Sequence, residues 1–188
     1  MVLKCVGCNK EYSEERIKFT CDTCGRHLEV SRELTWLTDE EKKHNHLGVW
    51  RYKDLLLITS MERIVSLGEG NTPLIKCNKL ARSIGLKKLY LKCEHISPTG
   101  SFKDRGITVA VSKALELKLK NIFCASTGNT AASLAAYSAK AGINAVFILP
   151  KNVPKGKLAQ IIGGGKTLRI NGNFDDAMSI VKEIGNRN

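Results

Sequence analysis

Four cysteines near the amino terminus have spacing typical of a metal site. The chain has two Cys-x-x-Cys pairs with twelve residues between them, and their members are Cys5, Cys8, Cys21 and Cys24. Two such pairs suit four thiolates around a tetrahedral zinc ion. Asn9 and Gly25 follow the pairs and tolerate the positive φ that folds backbone under a metal. Four thiolates leave no position for water, so we expect structural zinc, with iron or two disulfides as alternatives.

A lysine at the start of a predicted helix is a second candidate for chemistry. Residues 97–106 read Ser-Pro-Thr-Gly-Ser-Phe-Lys-Asp-Arg-Gly, which places Lys103 in the first helical turn. An ammonium group there opposes the positive end of the helix dipole, so protonation is less favourable, above all in a dry site. The free amine is a nucleophile suited to a Schiff base. A solvated surface lysine is the alternative on this physics alone.

A second strand-to-helix turn carries hydroxyl groups and an amide. Residues 125–131 read Ala-Ser-Thr-Gly-Asn-Thr-Ala. Backbone N–H groups at the helix start, together with these hydroxyls, form a binding site for a carboxylate or a phosphate. Ordinary N-capping by Ser126 or Thr127 is the alternative explanation of the same residues.

The elements that must position these turns alternate along the chain from residue 67. Apolar runs predict strands at 89–93, 121–125, 145–149 and 167–170. Helical patterns lie at 102–119, 129–141, 154–162 and 174–184, the last capped by Asn173. This alternation predicts an α/β fold with a parallel sheet flanked by helices.

Three regions follow from this pattern. Residues 1–31 are expected to form a small zinc ribbon, and 67–188 the α/β domain. Residues 32–66 are expected to be a lead-in segment that packs on that domain, with Trp36 and Trp50 as anchors. The glycines at 163–165 lie between a helix and a strand, so they predict a helix C-cap and turn rather than a phosphate-binding loop.

Composition narrows the class of protein. The net charge of +12 over 188 residues is spread along the chain, without an arginine-rich tract, which favours a lysine-rich surface over nucleic-acid binding. The longest apolar run has five residues, far short of the ~20 that span a membrane. We expect no membrane segment and no secretory signal. Seven cysteines, an odd number, then indicate a reducing, cytoplasmic compartment.

Four strings together resemble threonine synthase, a pyridoxal-phosphate enzyme of fold type II. They are Glu69-Gly-Asn-Thr-Pro-Leu74, residues 97–106, Ser126-Thr-Gly-Asn-Thr130 and Asn171-Gly-Asn-Phe-Asp-Asp176. The resemblance runs from about residue 48 to the end, and the ribbon resembles the prefix of some members. It implies threonine biosynthesis by a lyase that converts O-phosphohomoserine and water to threonine and phosphate.

The resemblance also implies roles for individual residues. Lys103 would carry pyridoxal 5'-phosphate as a Schiff base and shuttle protons as the catalytic base. Asn129 would hydrogen-bond the 3-oxygen of the cofactor, and 69–73 would shape the entrance. The substrate carboxylate would lie on Ser126, Thr127 and Thr130. A phosphorylated amino acid is the expected partner, and the full-length enzyme is expected to be a homodimer.

The chain also departs from the family pattern. Members continue well beyond residue 188, into a large domain that holds the loop for the cofactor phosphate, so we expect 1–188 alone to be poorly active. A threonine or serine dehydratase, or a cysteate synthase, is an alternative within the same fold. A zinc-ribbon module that binds nucleic acid or protein is an alternative from another class.

Overall fold

The amino-terminal part of the chain is a small antiparallel sheet. The structure is a computed structural model that describes residues 2–13, 18–31, 45–56 and 58–187. The sheet has strand order β2-β1-β3, and its strands are β1 (Val2–Cys5), β2 (Glu11–Tyr12) and β3 (Leu28–Ser31). A bridge between Thr20 and His27 continues this pairing toward the second cysteine pair.

The lead-in segment contacts the next part of the chain through buried polar groups. Among its described residues, the regular elements are 3-10 turns within Asn45–Leu55, interrupted at Gly48 and Tyr52, and a further 3-10 turn at Met61–Arg63. Trp50 is buried and donates from Nε1 to Thr108 Oγ1 at 3.1 Å, as expected of an anchor, whereas Trp36 lies outside the described residues. Gly48 and Gly70 have positive φ, and a Cβ on Gly70 would lie 2.7 Å from the Val49 nitrogen. Only glycine permits this backbone approach.

Helices and strands alternate through the remaining chain. The described α-helices are α1 (Asn78–Ser83), α2 (Lys103–Glu116), α3 (Asn129–Ala141), α4 (Lys155–Ala159) and α5 (Phe174–Arg187). The strands are β4 (Leu74–Lys76), β5 (Tyr90–Lys92), β6 (Asn121–Cys124), β7 (Asn144–Pro150) and β8 (Lys166–Ile170). The parallel sheet has order β6-β7-β8, which confirms the predicted α/β class.

One predicted strand pairs differently from the expectation. The apolar run at 89–93 does form β5, but β5 pairs antiparallel with β4 instead of joining the parallel sheet. Leu74 lies opposite Lys92 in this ribbon. A strand close in sequence is an inexpensive partner because the loop to be closed is short. The local pattern had not predicted β4, so it could not reveal this pairing.

The central strand β7 is covered on both faces. Phe147 and Leu149 belong to the larger apolar core, together with Val111 of α2 and Leu134 of α3. Ile148 points to the other face and packs with Ala177 of α5. Alternate residues of one strand therefore meet helices on opposite sides, as a parallel sheet requires.

The turn before β8 explains the glycine run. A Cβ on Gly164 would lie 2.4 Å from Ala135 Cβ, and one on Gly165 would lie 2.3 Å from the Ala145 carbonyl oxygen. The run is a close-packed turn, as predicted. Helix α4 ends at Ala159, however, so these glycines do not cap it directly. None of the described helices is long and apolar enough to cross a membrane.

Candidate functional site

The lysine turn and the hydroxyl bend lie at the same end of two packed helices. Helix α2 begins at Lys103, α3 begins at Asn129, and the two helices pack against each other. Near their starts, Ser133 Oγ donates to Asp104 Oδ1 at 2.6 Å. The structure thus brings together two turns that are some two dozen residues apart in sequence.

Lys103 is exposed in this arrangement. Its ammonium group lies 4.7 Å from the centroid of the Phe102 ring, and its backbone N–H donates to Ser101 Oγ at 3.3 Å. The predicted position in the first turn of a helix is confirmed. The described residues do not enclose the amine, so they do not by themselves provide the dry site that would make it most nucleophilic.

The bend at 126–130 leaves the start of α3 uncapped. Gly128 is the N-cap residue and no side chain caps the helix, so capping by Ser126 or Thr127 does not explain these hydroxyls. Ser126 Oγ instead accepts a hydrogen bond from the Gly128 N–H at 3.3 Å. Asn129 is exposed, and the hydroxyl-bearing residues of the bend are half-buried. A helix start without a side-chain cap, beside half-buried hydroxyl groups, can bind an anion.

Glu69 occupies a position that sequence reasoning did not foresee. It was expected at an entrance, but it is only 1% exposed. It accepts hydrogen bonds from Tyr137 OH at 2.7 Å, Trp50 Nε1 at 3.0 Å and the Leu67 N–H at 2.9 Å. Burial by itself raises the pKa of Glu69, but hydrogen bonds, above all the one from Tyr137, outweigh it and the pKa is lowered. Burial and this carboxylate also raise the pKa of Tyr137.

A second carboxylate ties residues 69–73 to α2. Arg105 forms a bidentate ion pair with Glu94, in which both N···O distances are 2.8 Å. Thr72 Oγ1 donates to Glu94 Oε1 at 2.7 Å, and Lys92 Nζ donates to the Thr72 carbonyl oxygen. The Arg105 guanidinium is the main cause that lowers the pKa of Glu94 to about 2. This network holds the β4–β5 ribbon beside the lysine turn.

The four amino-terminal cysteines converge on one point. Their sulfur atoms all lie within 4.8 Å of one another. Sγ–Sγ distances are 3.4 Å for Cys5–Cys24 and 3.5 Å for Cys8–Cys21, and none of the four forms a disulfide. A tetrahedral ion with Zn–S bonds of ~2.3 Å separates its sulfur ligands by about 3.8 Å. Little movement is needed for the cluster to fit such an ion.

The backbone around the cysteines has the predicted knuckle geometry. Asn9 has φ 60° and Gly25 has φ 70°, both in the left-handed region. N–H groups of Gly7 and Thr23 point at Cys5 Sγ and Cys21 Sγ, at 3.3 and 3.4 Å. Such N–H···S hydrogen bonds favour the thiolate form that binds metal.

Comparison with known proteins gives a consistent result. The family model described as "Pyridoxal-phosphate dependent enzyme" matches residues 65–188. Threonine synthase of Methanocaldococcus jannaschii is 47% identical over 190 residues, which cover 98% of this chain and 47% of that protein. Threonine synthase of Methanosarcina acetivorans is 49% identical over 186 residues, covering 97% and 45%. The chain therefore spans about half the length of these curated relatives.

Solved structures agree on the fold. Diaminopropionate ammonia lyase of Escherichia coli superposes with a TM-score of 0.58 at 20% identity, over 67% of this chain and 38% of that one. Serine racemase of Dictyostelium discoideum gives a TM-score of 0.54 at 29% identity, over 62% and 38%. The first of these similarities carries information about the fold alone.

Proposed function

Because the chain belongs to the pyridoxal-phosphate-dependent enzyme family, we propose that it is the amino-terminal part of a threonine synthase. Its reaction would convert O-phosphohomoserine and water to threonine and phosphate. The observation that carries the proposal is the pairing of an exposed lysine and an uncapped, hydroxyl-rich helix start at one end of α2 and α3. The identity of 47–49% to curated threonine synthases supports this substrate over the dehydratase and cysteate synthase alternatives.

The residues present fit the cofactor. Lys103 offers a primary amine that solvent can reach, which suits a bond to the aldehyde of pyridoxal phosphate. Asn129, exposed at the start of α3, would hydrogen-bond the 3-oxygen of the cofactor. When bound, pyridoxal phosphate supplies an electron sink for carbanions formed on the amino acid. Lys103 would hold and return the protons that leave the substrate carbons.

The bend at 126–130 would hold the other end of the amino acid. Ser126, Thr127 and Thr130 provide hydroxyl donors, and the N-cap residue of α3, Gly128, offers the first N–H groups of the helix no side-chain acceptor. A carboxylate at this position gains hydrogen bonds and a favourable interaction with the helix dipole. The cofactor at Lys103 and the bend would then hold a single substrate from two sides.

We further propose that Cys5, Cys8, Cys21 and Cys24 bind one structural zinc ion. A closed set of four sulfur ligands has no position for a reacting water molecule. The metal would instead hold the two knuckles of residues 1–31 together, since so short a segment cannot bury a sufficient core.

The β4–β5 ribbon supports the proposal that activity needs more chain. Leu74 and Ile75 are 62% and 51% exposed, and Tyr90 and Leu91 are both 47% exposed. Neighbouring strand residues point to opposite faces, so both faces of this ribbon are apolar and uncovered. A two-stranded ribbon is marginal by itself. A large domain equivalent to the remaining half of the relatives would cover it and enclose Lys103.

Chemical trapping on the chain tests the cofactor assignment. The chain is mixed with pyridoxal phosphate, its visible absorbance is recorded, borohydride is added, and the labelled peptide is identified by mass spectrometry. We expect the label chiefly on Lys103 and its loss in Lys103→Arg. Lys120→Arg is the matched control, because Lys120 is also exposed and lies beyond the other end of α2. Labels scattered evenly over the surface lysines would overturn the assignment.

Phosphate release from O-phosphohomoserine tests the reaction itself. We expect the chain alone to release phosphate far more slowly than the median enzyme rate of about 10 s⁻¹. A chain extended by a second half like that of the relatives should reach ordinary rates. Ordinary turnover by residues 1–188 alone would contradict the need for a large domain. Turnover of phosphoserine but not phosphohomoserine by the extended chain would contradict the substrate.

A further inference from the structure

The residue that follows Lys103 faces in the opposite direction. Asp104 is 0% exposed, whereas Lys103 lies on the surface. The Asp104 carboxylate accepts hydrogen bonds from the Thr99 N–H at 2.8 Å, Thr99 Oγ1 at 2.5 Å and Ser133 Oγ at 2.6 Å. All three donors are neutral. The carboxylate thus joins the loop before α2 to the first turns of α2 and α3.

This arrangement is a costly way to hold two helices together. Burying a charge is unfavourable, and a well-packed apolar pair is often at least as stable as a buried polar network. What the carboxylate adds is a directional contact, since short hydrogen bonds to an ionised oxygen constrain both distance and angle. The constrained atoms belong to Asp104, one residue after Lys103, and to Ser133, three residues after Thr130.

On this basis we propose that Asp104 and Ser133 are positioning residues, which set the spacing between Lys103 and the bend at 126–130. The proposal rests on the function proposed above. Neither side chain touches cofactor or substrate. Their hydrogen bond acts through the backbone of the two helix starts and so fixes the distance between the amine on one start and the anion-binding bend on the other.

The chain offers a control that matches the burial but not the location. Ser112 of α2 is also 0% exposed, and its hydroxyl makes two buried hydrogen bonds, from the Val65 N–H at 2.8 Å and to the Thr108 carbonyl oxygen at 2.7 Å. The first bond connects α2 to the segment before β4, the second lies within α2, and neither reaches α3. Ser112→Ala therefore removes at least as much buried bonding as Ser133→Ala without loosening the contact between the two helix starts.

The first measurement needs no cofactor. Hydrogen exchange is followed at the backbone amides of 126–130 in the wild-type chain, Ser133→Ala and Ser112→Ala. We expect exchange at the bend to accelerate roughly tenfold in Ser133→Ala, the factor that corresponds to one lost buried hydrogen bond. Ser112→Ala should leave the bend at the wild-type rate. Equal acceleration in the two variants would mean a general loss of stability and would overturn the positioning role.

The second measurement follows reductive trapping of pyridoxal phosphate on Lys103. We expect the yield on Lys103, relative to the other lysines, to fall several-fold in Ser133→Ala and not in Ser112→Ala. If Ser133→Ala does not fold, Ser133→Cys is measured in its place, because it keeps a side chain of similar shape whose S–H is only a weak donor. Wild-type yield in the folded variant would refute the positioning role alone. A wild-type chain without preference for Lys103 would instead refute the proposed function, and this proposal with it.

Discussion

Replacement of Glu69 by glutamine is a sharp test of the buried network. The two carboxylate oxygens accept from four groups, namely Tyr137 OH, Trp50 Nε1, the Leu67 N–H and Ser66 Oγ. A glutamine has one acceptor oxygen and one NH2 group. If its oxygen keeps Tyr137 and Leu67, its NH2 group faces the Trp50 N–H. The reverse orientation instead sets the NH2 group against the Leu67 N–H. In either case two donors face each other and a hydrogen bond to residue 69 is lost, although the Trp50 N–H keeps Thr108 Oγ1 as an acceptor.

The magnitude follows from these contacts. The loss of a hydrogen bond to a charged acceptor costs roughly 1.5–3 kcal/mol, and the remaining hydrogen bonds weaken because their acceptor is no longer ionised. We expect Glu69→Gln to lower the free energy of unfolding by about 2–4 kcal/mol. For a chain of this size 1 kcal/mol corresponds to roughly 2–4 °C, so the melting temperature should fall by roughly 5–15 °C.

Thermal unfolding followed by circular dichroism measures this effect. Glu62→Gln is the control, because Glu62 is exposed and its replacement should change stability by less than about 0.5 kcal/mol. The double variant Glu69→Gln/Tyr137→Phe should cost less than the sum of its single variants, since both act on one hydrogen bond. A Glu69→Gln melting temperature equal to that of Glu62→Gln would refute the reasoning.

Three further outcomes follow from the described contacts. Removal of the metal with a chelator, or the substitution Cys8→Ser, should unfold residues 1–31, which NMR would detect, and should release one metal ion per chain, which metal analysis would detect. If residues 1–31 keep their fold without the metal, the metal is not structural. The pKa of Glu94 and that of Glu116 are both lowered to about 2, so both groups stabilise the fold above an unfolded glutamate pKa of about 4.3, and urea unfolding should reveal that this stability is lost as the pH falls toward 2. Glu116→Gln should make the free energy of unfolding depend less steeply on pH. An equally steep dependence in this variant would contradict the stabilising role of Glu116. Gly70→Ala should cost roughly 2 kcal/mol or more in the same assay, because its φ is +102° and its Cβ has no room, whereas Gly106→Ala, with open space around it, should not destabilise; equal effects would count against the close approach.

Capping residues and helical patterns in the sequence correctly predicted several helix ends. The start of α2 at Lys103 and both ends of α3 agree with the helical pattern. Asn173 caps α5 as expected, since its Oδ1 accepts from the Asp175 N–H at 2.7 Å. Each of these signals lies within a few residues of the feature that it predicts, so a single sequence suffices.

Pairing between distant segments was harder to predict. The pattern at 89–93 correctly indicated a strand but did not reveal its antiparallel partner. Helix α4 is, in addition, shorter than its predicted range. A strand pattern records which residues favour extended backbone and burial; it contains no information about which other strand supplies the hydrogen bonds.

The cysteine pairs, the α/β class and the two polar turns that begin α2 and α3 could all be inferred from the amino-acid sequence. Each cysteine knuckle and each helix turn spans only a few residues, and the α/β class follows from the alternation of strand and helix patterns along the chain. The folded structure was needed to reveal that Glu69 is a buried acceptor and that Asp104 joins Ser133. These contacts join residues 68 and 29 positions apart. Such contacts form only when helices pack, and packing depends on the whole core rather than on any local pattern.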